Sequence, residues 1–227
     1  MSEWWTYRAG DFLLFSPRVY WRMFESHNAA LWPLHVLTLA AGLTIILLIA
    51  WRPGTWARWL TLILAILWIF VGWSFLWQRY ATINWAAAYV APAFVVEGVL
   101  LLVASSLNGL AFDRRGPAGW IGYLILAFAL VGQPLLAPLQ GRGWASSEVF
   151  GIAPDPTAIA TTGVLLLARG RLLPVLLPIP VLWCLLSGIT LRTMGEPQAW
   201  APYAALALAA AGWIWTIIRQ RRSSSPA

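Results

Sequence analysis

The sequence predicts an all-α fold: a polytopic membrane bundle of about seven transmembrane helices, with a short amphipathic interfacial helix in front of it. Three observations carry that expectation. Seven apolar stretches, Ala29 to Trp51, Trp59 to Trp77, Trp85 to Leu107, Ala118 to Leu139, Asp155 to Ala168, Leu172 to Leu191 and Trp200 to Ile218, reach or approach the length of a bilayer crossing. Composition agrees, with 60% hydrophobic and 10% charged residues and a mean hydropathy of +0.72, far from the roughly 25% charged content of a soluble domain. The 15 basic residues, all arginine, are spread over the predicted loops. They form no stripe of the kind that tracks a phosphate backbone, so no nucleic-acid partner is expected.

A helix of about 20 residues rises about 30 Å, the thickness of the hydrocarbon layer. Seven such spans consume most of the 227 residues, leaving short connections and no soluble domain. The chain therefore divides into an N-terminal amphipathic segment (1–28), a seven-helix transmembrane domain (29–218) and a disordered tail (219–227). No cleavable signal peptide is expected, because the first apolar run starts only at residue 29 and is too long for a signal core.

In the N-terminal segment, Ser16 followed by Pro17 has the form of a helix N-cap and first-turn pair. Val19, Tyr20, Met23, Phe24 and His27 then share one helical face, and Arg18, Arg22 and Glu25 another. This pattern predicts an in-plane helix lying on the headgroups or against the bundle, or docking a partner. The fifth stretch is unusual. Asp155 before Pro156 suggests a helix N-cap, and a helix from there to Arg169 would be about 14 residues, about 21 Å, too short to cross. Either the bilayer thins there or the Gly/Pro segment Phe150 to Thr157 descends below the surface, which non-helical backbone tolerates only inside protein or beside water. In the sixth stretch Pro174, Pro178 and Pro180 predict an irregular start. Arg219 to Ala227, with three Ser and a Pro, ends the chain as a basic stop and a tail.

Arginine distribution sets the expected orientation. One side's loops and tail hold nine arginines (Arg52, Arg58, Arg114, Arg115, Arg169, Arg171, Arg219, Arg221, Arg222). The other side holds six, Arg79, Arg142 and Arg192 in its loops and Arg8, Arg18 and Arg22 in the N-terminal segment, so that loops and tail alone give nine against three. The positive-inside rule then puts the C-terminus in the cytoplasm and the N-terminus outside, in a plasma (inner) membrane, provided all seven stretches cross. The 17 tryptophans gather at span ends, among them Trp32, Trp51, Trp59, Trp77, Trp85, Trp120 and Trp200. That is an interfacial belt, with Trp68, Trp73 and Trp183 deep enough to stack on a ligand.

Several chemistries are excluded. Cys184 is the single cysteine and lies within a span, so there is no disulfide and no thiolate cluster. The two histidines, His27 and His35, lie outside any HExxH string, and no Walker A loop occurs. A retinal Schiff base needs a lysine, and the chain has none. Neither a cofactor nor a metal is expected.

The remaining candidates are polar groups inside the spans, each expensive in lipid unless paired. Glu97 leads, about halfway along the third span, where it can exchange a proton or hold a cation. His35 and Gln133, which precedes Pro134, fall about 9 Å below the outer surface, with Glu97 about 7 Å deeper. Asn28 and Asn84 mark the outer entrances of the first and third spans. Asp155, Thr157, Thr161 and Thr162 surround the start of the short helix, whose free amides suit a binding site. If these faces converge, they form a polar cavity open outward.

The strings Asn28 to Pro33, Leu130 to Leu135, Phe150 to Thr157 with Thr161 and Gly163, and Ile179 to Trp183 resemble an integral-membrane family of bacteria known only as a domain of unknown function. The likeness spans nearly the whole chain, and Phe-Gly-x-Ala-Pro-x-Pro-Thr is its most specific part. That family often has Cys where this chain has Asp155, a departure that argues against a thiol-dependent mechanism. The resemblance implies a fold and a bacterial origin, but no activity. Three functions stay open: binding or transport of a small molecule or ion, with membrane lipids around it; a non-catalytic accessory or assembly subunit, its polar residues only joining helices; and an enzyme acting on a lipid through Glu97, His35 and Asp155, which no recognised motif supports.

Overall fold

The computed structural model describes residues 15–51, 56–112 and 117–223. The expectations placed on Arg8, on the loop arginines Arg52, Arg114 and Arg115 and on residues 224–227 lie outside the described residues.

Helix α1 (Pro17–Leu31) begins as its sequence dictates: Ser16 is extended, its side chain accepts from the Val19 amide, and Pro17 stands in the first turn. Tyr20, Trp21, Met23, Phe24, His27 and Asn28 are its buried face, while Val19 is exposed. Ala29 to Leu31, counted by hydropathy with the first span, belong to this helix. The chain breaks at Trp32 and Pro33, joined by a cis peptide bond, and α2 starts at Leu34 (Leu34–Trp51). Proline supplies the reason, since it can neither continue α1 nor donate into it.

Helix α3 (Ala57–Val71) continues through a π turn, Gly72–Trp77, and a 3₁₀ turn, Tyr80–Thr82. α4 (Ala87–Ser106) packs along it at two glycines. A Cβ on Gly72 would stand 2.9 Å from Phe94 Cβ, and one on Gly98 2.9 Å from the Ala65 carbonyl oxygen. α5 (Pro117–Ala127) runs through a π turn, Phe128–Gly132, into α6 (Gln133–Leu139). Prolines divide the sixth stretch into α8 (Leu173–Leu176) and α9 (Pro178–Thr193), as the sequence predicts. α10 (Trp200–Ser223) runs four residues past Arg219, so the tail assigned from Arg219 onward is helical at its start.

The fifth stretch is α7 (Pro154–Leu166), 13 residues long and buried at every one of them. It is the axis of the bundle, with α3, α5, α9 and α10 around it. Against α5 the contact is glycine on glycine: a Cβ on Gly163 would lie 2.8 Å from the Gly122 carbonyl oxygen, and one on Gly122 2.8 Å from that of Gly163. At the far end of α7, β2 (Ala168–Arg169) pairs antiparallel with β1 (Ala111–Phe112), which follows α4.

The chain's path follows from these contacts. The β1–β2 pair marks one end of the bundle, and there the Ser105 hydroxyl donates to the Arg58 carbonyl at 2.8 Å. α1 marks the other, where Tyr20 meets Tyr80 at 5.8 Å between ring centroids. Successive elements alternate between the two ends, α7 included. Among the described residues, six helical segments are long and apolar enough to cross a membrane: Leu34–Trp51, Ala57–Thr82, Ala87–Ser106, Gly119–Leu139, Leu173–Thr193 and Pro197–Ile218. α7, one of the seven stretches, is too short to join them, and the backbone just before it is buried and non-helical. This is an all-α bundle whose apolar helices are, by length and composition, those of a membrane protein.

Candidate functional site

Every residue from Ser146 to Ala168 is buried. The connection ahead of α7 thus enters the bundle, and its backbone must find partners there. The Val149 carbonyl accepts from the amides of Ile152 and Ala153 at 3.0 and 2.8 Å. Gly151 has φ of 73°, a left-handed conformation, and its amide donates to the Thr157 hydroxyl at 2.9 Å. That hydroxyl donates in turn to the Ala153 carbonyl at 2.7 Å. A Cβ at Gly151 would also lie 2.8 Å from Leu67 Cδ2, so conformation and space both require glycine here. The Phe150 to Thr157 string is in this way the sequence of a self-satisfied turn that can enter a helical core.

Asp155 does not cap α7. The helix starts at Pro154 with Ala153 as its cap, leaving Asp155 inside the first turn. Its carboxylate instead reaches across to α9, accepting from Trp183 Nε1 at 2.8 Å and from the Ser187 hydroxyl. A buried anion gains there from the free amides of a helix amino end. Thr161 is engaged within the core, accepting from Trp68 Nε1 at 2.8 Å and donating to the Thr157 carbonyl at 2.8 Å. Trp68 and Trp183 are therefore donors to buried acceptors, whereas Trp73 is 57% exposed and faces outward.

Beside Asp155 lies a second fully buried acid that sequence reasoning passed over, Glu148. Its Oε2 accepts from Gln133 Nε2 at 3.1 Å and from Gln198 Nε2 at 2.9 Å. Arg142 donates to Gln140 Oε1 at 3.1 Å and to Gln198 Oε1, and its guanidinium lies 3.4 Å over the Trp21 ring. Burial pushes the Glu148 carboxyl well above the usual carboxylate range, the Asp155 carboxyl adds to this and Arg142 opposes it. Glu148 Oε1, Gln133 Oε1 and Arg142 Nε and Nη1 are buried and have no hydrogen-bond partner among the described residues.

Helix α1 covers this cluster. Asn28 donates both amide hydrogens to the covering loop, to the carbonyls of Ala145 at 2.7 Å and Ser147 at 2.8 Å. Its Oδ1 meets His35 Nε2 at 3.2 Å. Asn28 and His35 so fasten α1 and α2 to the loop, and Gln133 reaches the acid itself. The structure does not bring Glu97 to these groups. Glu97 sits fully buried on α4 next to the tight Gly98 contact with α3, and neither of its oxygens has a hydrogen-bond partner among the described residues.

The chain matches one family over residues 17–224, from the start of α1 to the end of α10. It belongs to the family of unknown function DUF6064. No curated protein and no solved structure matches it. The match covers α1 and the buried connection as well as the apolar helices, so this family's unit includes the cover of the acid cluster.

The residues missed in the sequence had a faint signal. Glu148 and Arg142 lie between two spans, where charges are ordinarily solvated, and Arg142 was counted only toward orientation. The clue was the run Val149 to Thr162, which contains one charged residue and no other break in apolar or small character. A loop with that composition is headed for an interior, and the acid at its threshold goes with it.

Proposed function

We propose that this protein is a multi-pass plasma-membrane protein that binds a small cation, the proton included, in the acid cluster beneath α1. The nine-to-three arginine asymmetry of the loops and tail supports a reading with α1 on the outer side and the C-terminus in the cytoplasm. The ion-binding or transport reading, and not the accessory-subunit one, is favoured by a single observation. Glu148 Oε1 and Gln133 Oε1, on two side chains joined through Gln133 Nε2 and Glu148 Oε2, are buried acceptors with no donor among the described residues. Gln133 cannot turn its amide to help, because its nitrogen already donates to the same carboxylate.

Charge supports the same conclusion. Two buried carboxyl groups, Glu148 and Asp155, have one guanidinium nearby among the described residues, that of Arg142. The amino end of α7 supplies roughly half a positive charge toward Asp155. A residual negative charge in a buried site costs several kcal/mol, so a proton or a cation coordinated by the free acceptors completes it.

The test is thermal unfolding of the purified protein in nanodiscs across pH, with sodium, potassium or the bulky cation choline at constant ionic strength. A bound ion at one hundred times its dissociation constant stabilises by about 2.7 kcal/mol. The wild type is expected to gain stability from a small cation at neutral pH or from a proton at lower pH, and not from choline. Glu148→Gln should remove that gain, while Glu97→Leu keeps it. An unchanged response in Glu148→Gln overturns the proposal.

A further inference from the structure

Two hollows between α4 and α9 share the walls Val90, Trp183 and Leu186. The larger, about 220 Å³, is bounded by Tyr89, Ala93 and Phe94 of α4 and Ile179 and Leu182 of α9. Its rim faces outward, with Tyr89 76% and Leu182 62% exposed. The smaller, about 60 Å³, lies toward the α1 end, where Tyr20, Tyr80, Asn84, Ser187 and Thr190 bring hydroxyl and amide groups. Joined through their common walls, they form one slot that is apolar along its length and polar at its outer end.

We propose that this slot holds the chain of a neutral, single-chain lipid, its hydroxylated head resting among Tyr20, Asn84, Ser187 and Thr190. Direction argues for this occupant. From Ile179 to Leu186 the apolar wall runs about 10 Å along α9, and the polar residues follow at the α1 end. A lipid of the adjoining leaflet is oriented the same way, head at the interface and chain parallel to the helices. It can enter sideways from the bilayer without leaving its own depth. The lining also selects the head. Among the described residues no arginine lines either hollow, so none of them complements a phosphate or carboxylate, whereas hydroxyl and amide groups suit a polyol. The lipid reading goes beyond the ion site. It shares Trp183 and Ser187 with Asp155 but requires no ion.

The probe is a monoacylglycerol carrying a diazirine at the end of its chain, photolysed with the protein in phosphatidylcholine nanodiscs, with labelled residues mapped by mass spectrometry. Labelling is expected within 89–94 and 179–186, saturable and competed by unlabelled monoacylglycerol. Ala93→Phe fills the slot, and displacing two methylenes at about 0.8 kcal/mol each lowers labelling about tenfold. Leu182→Trp, at an exposed rim position, should act likewise and guards against a folding defect at Ala93. Labelling that is unsaturable and spread over all outward-facing helices overturns the proposal, as does equal labelling of wild type and both variants. Stronger competition by a fatty acid or lysophosphatidylglycerol overturns the neutral head. Glu148→Gln is expected to label as the wild type does, which separates this outcome from failure of the ion site.

Discussion

His27 makes the docking of α1 depend on pH. It lies on the buried face of the helix, edge-on to Phe75 at 5.2 Å between ring centroids, and Nε2 has no hydrogen-bond partner among the described residues. Burial lowers its pKa from 6.5 to about 4; Arg79 and His35 push the same way, and the Ile152 carbonyl opposes them. An undocked α1 exposes His27, which then takes a proton below 6.5, while the docked one stays neutral until about 4. Docking energy from this residue is therefore complete above 6.5 and is lost as pH falls toward 4. A shift from 6.5 to about 4 corresponds to about 3 kcal/mol. Glu148, held high by burial, acts in the opposite sense, weakening the closed form as pH rises. Comparison with His27→Gln removes that contribution, because both proteins contain Glu148. The assay is hydrogen exchange of the 17–31 amides, corrected for intrinsic rates. Protection in the wild type relative to His27→Gln should fall about 100-fold between pH 6.5 and 4. Parallel curves for the two proteins across that window would refute the assignment of a buried, neutral His27.

Three further outcomes are expected. Asn28→Ala removes two hydrogen bonds to the covering loop, about 1 kcal/mol each, and should raise exchange in residues 143–148; Asn28→Asp should be worse, since it sets a carboxylate against two carbonyls. Gly163→Ala forces a methyl to 2.8 Å from the Gly122 carbonyl oxygen and should lower thermal stability by about 1–3 kcal/mol, whereas Gly143→Ala, with nothing within 4 Å of its new methyl, should leave it unchanged. Glu97→Leu removes two buried oxygens without partners and is expected to raise the melting temperature by the equivalent of about 1–3 kcal/mol; a fall would show that Glu97 has a partner that stabilises it.

Hydropathy made the long helices legible because each must satisfy its own backbone and present apolar side chains outward, constraints that act residue by residue. The start of α1 was legible for a local reason too, the Ser16 and Pro17 pair. Contacts far apart in sequence were not. Asp155 has the local form of an N-cap, and only the arrival of α9 carrying Trp183 and Ser187 makes it an inter-helix acceptor. Glu97 drew notice because it interrupts an apolar span, yet the groups that converge are Gln133 within the fourth span, Gln198 at the start of the last and Glu148 in the connection before α7. Sequence depth along a span measures distance from the surface. It carries no information on which face of the bundle a group occupies.

The shortness of α7 is what makes an enclosed acid site possible. A full-length helix through the axis would present only side chains to its neighbours, with its backbone closed, and would put Glu148 at the surface. A 13-residue helix preceded by buried turn carries the carboxyl of Glu148 and the first-turn carboxyl of Asp155 below α1. The cost is a stretch of backbone needing partners in the core, which the Thr157 hydroxyl and the Asn28 amide supply. The two functions of the Phe150 to Thr157 string thereby separate. Its glycine and threonine make the descent possible, and the residue at position 155, which accepts from α9 instead of capping its own helix, is the one free to set the chemistry.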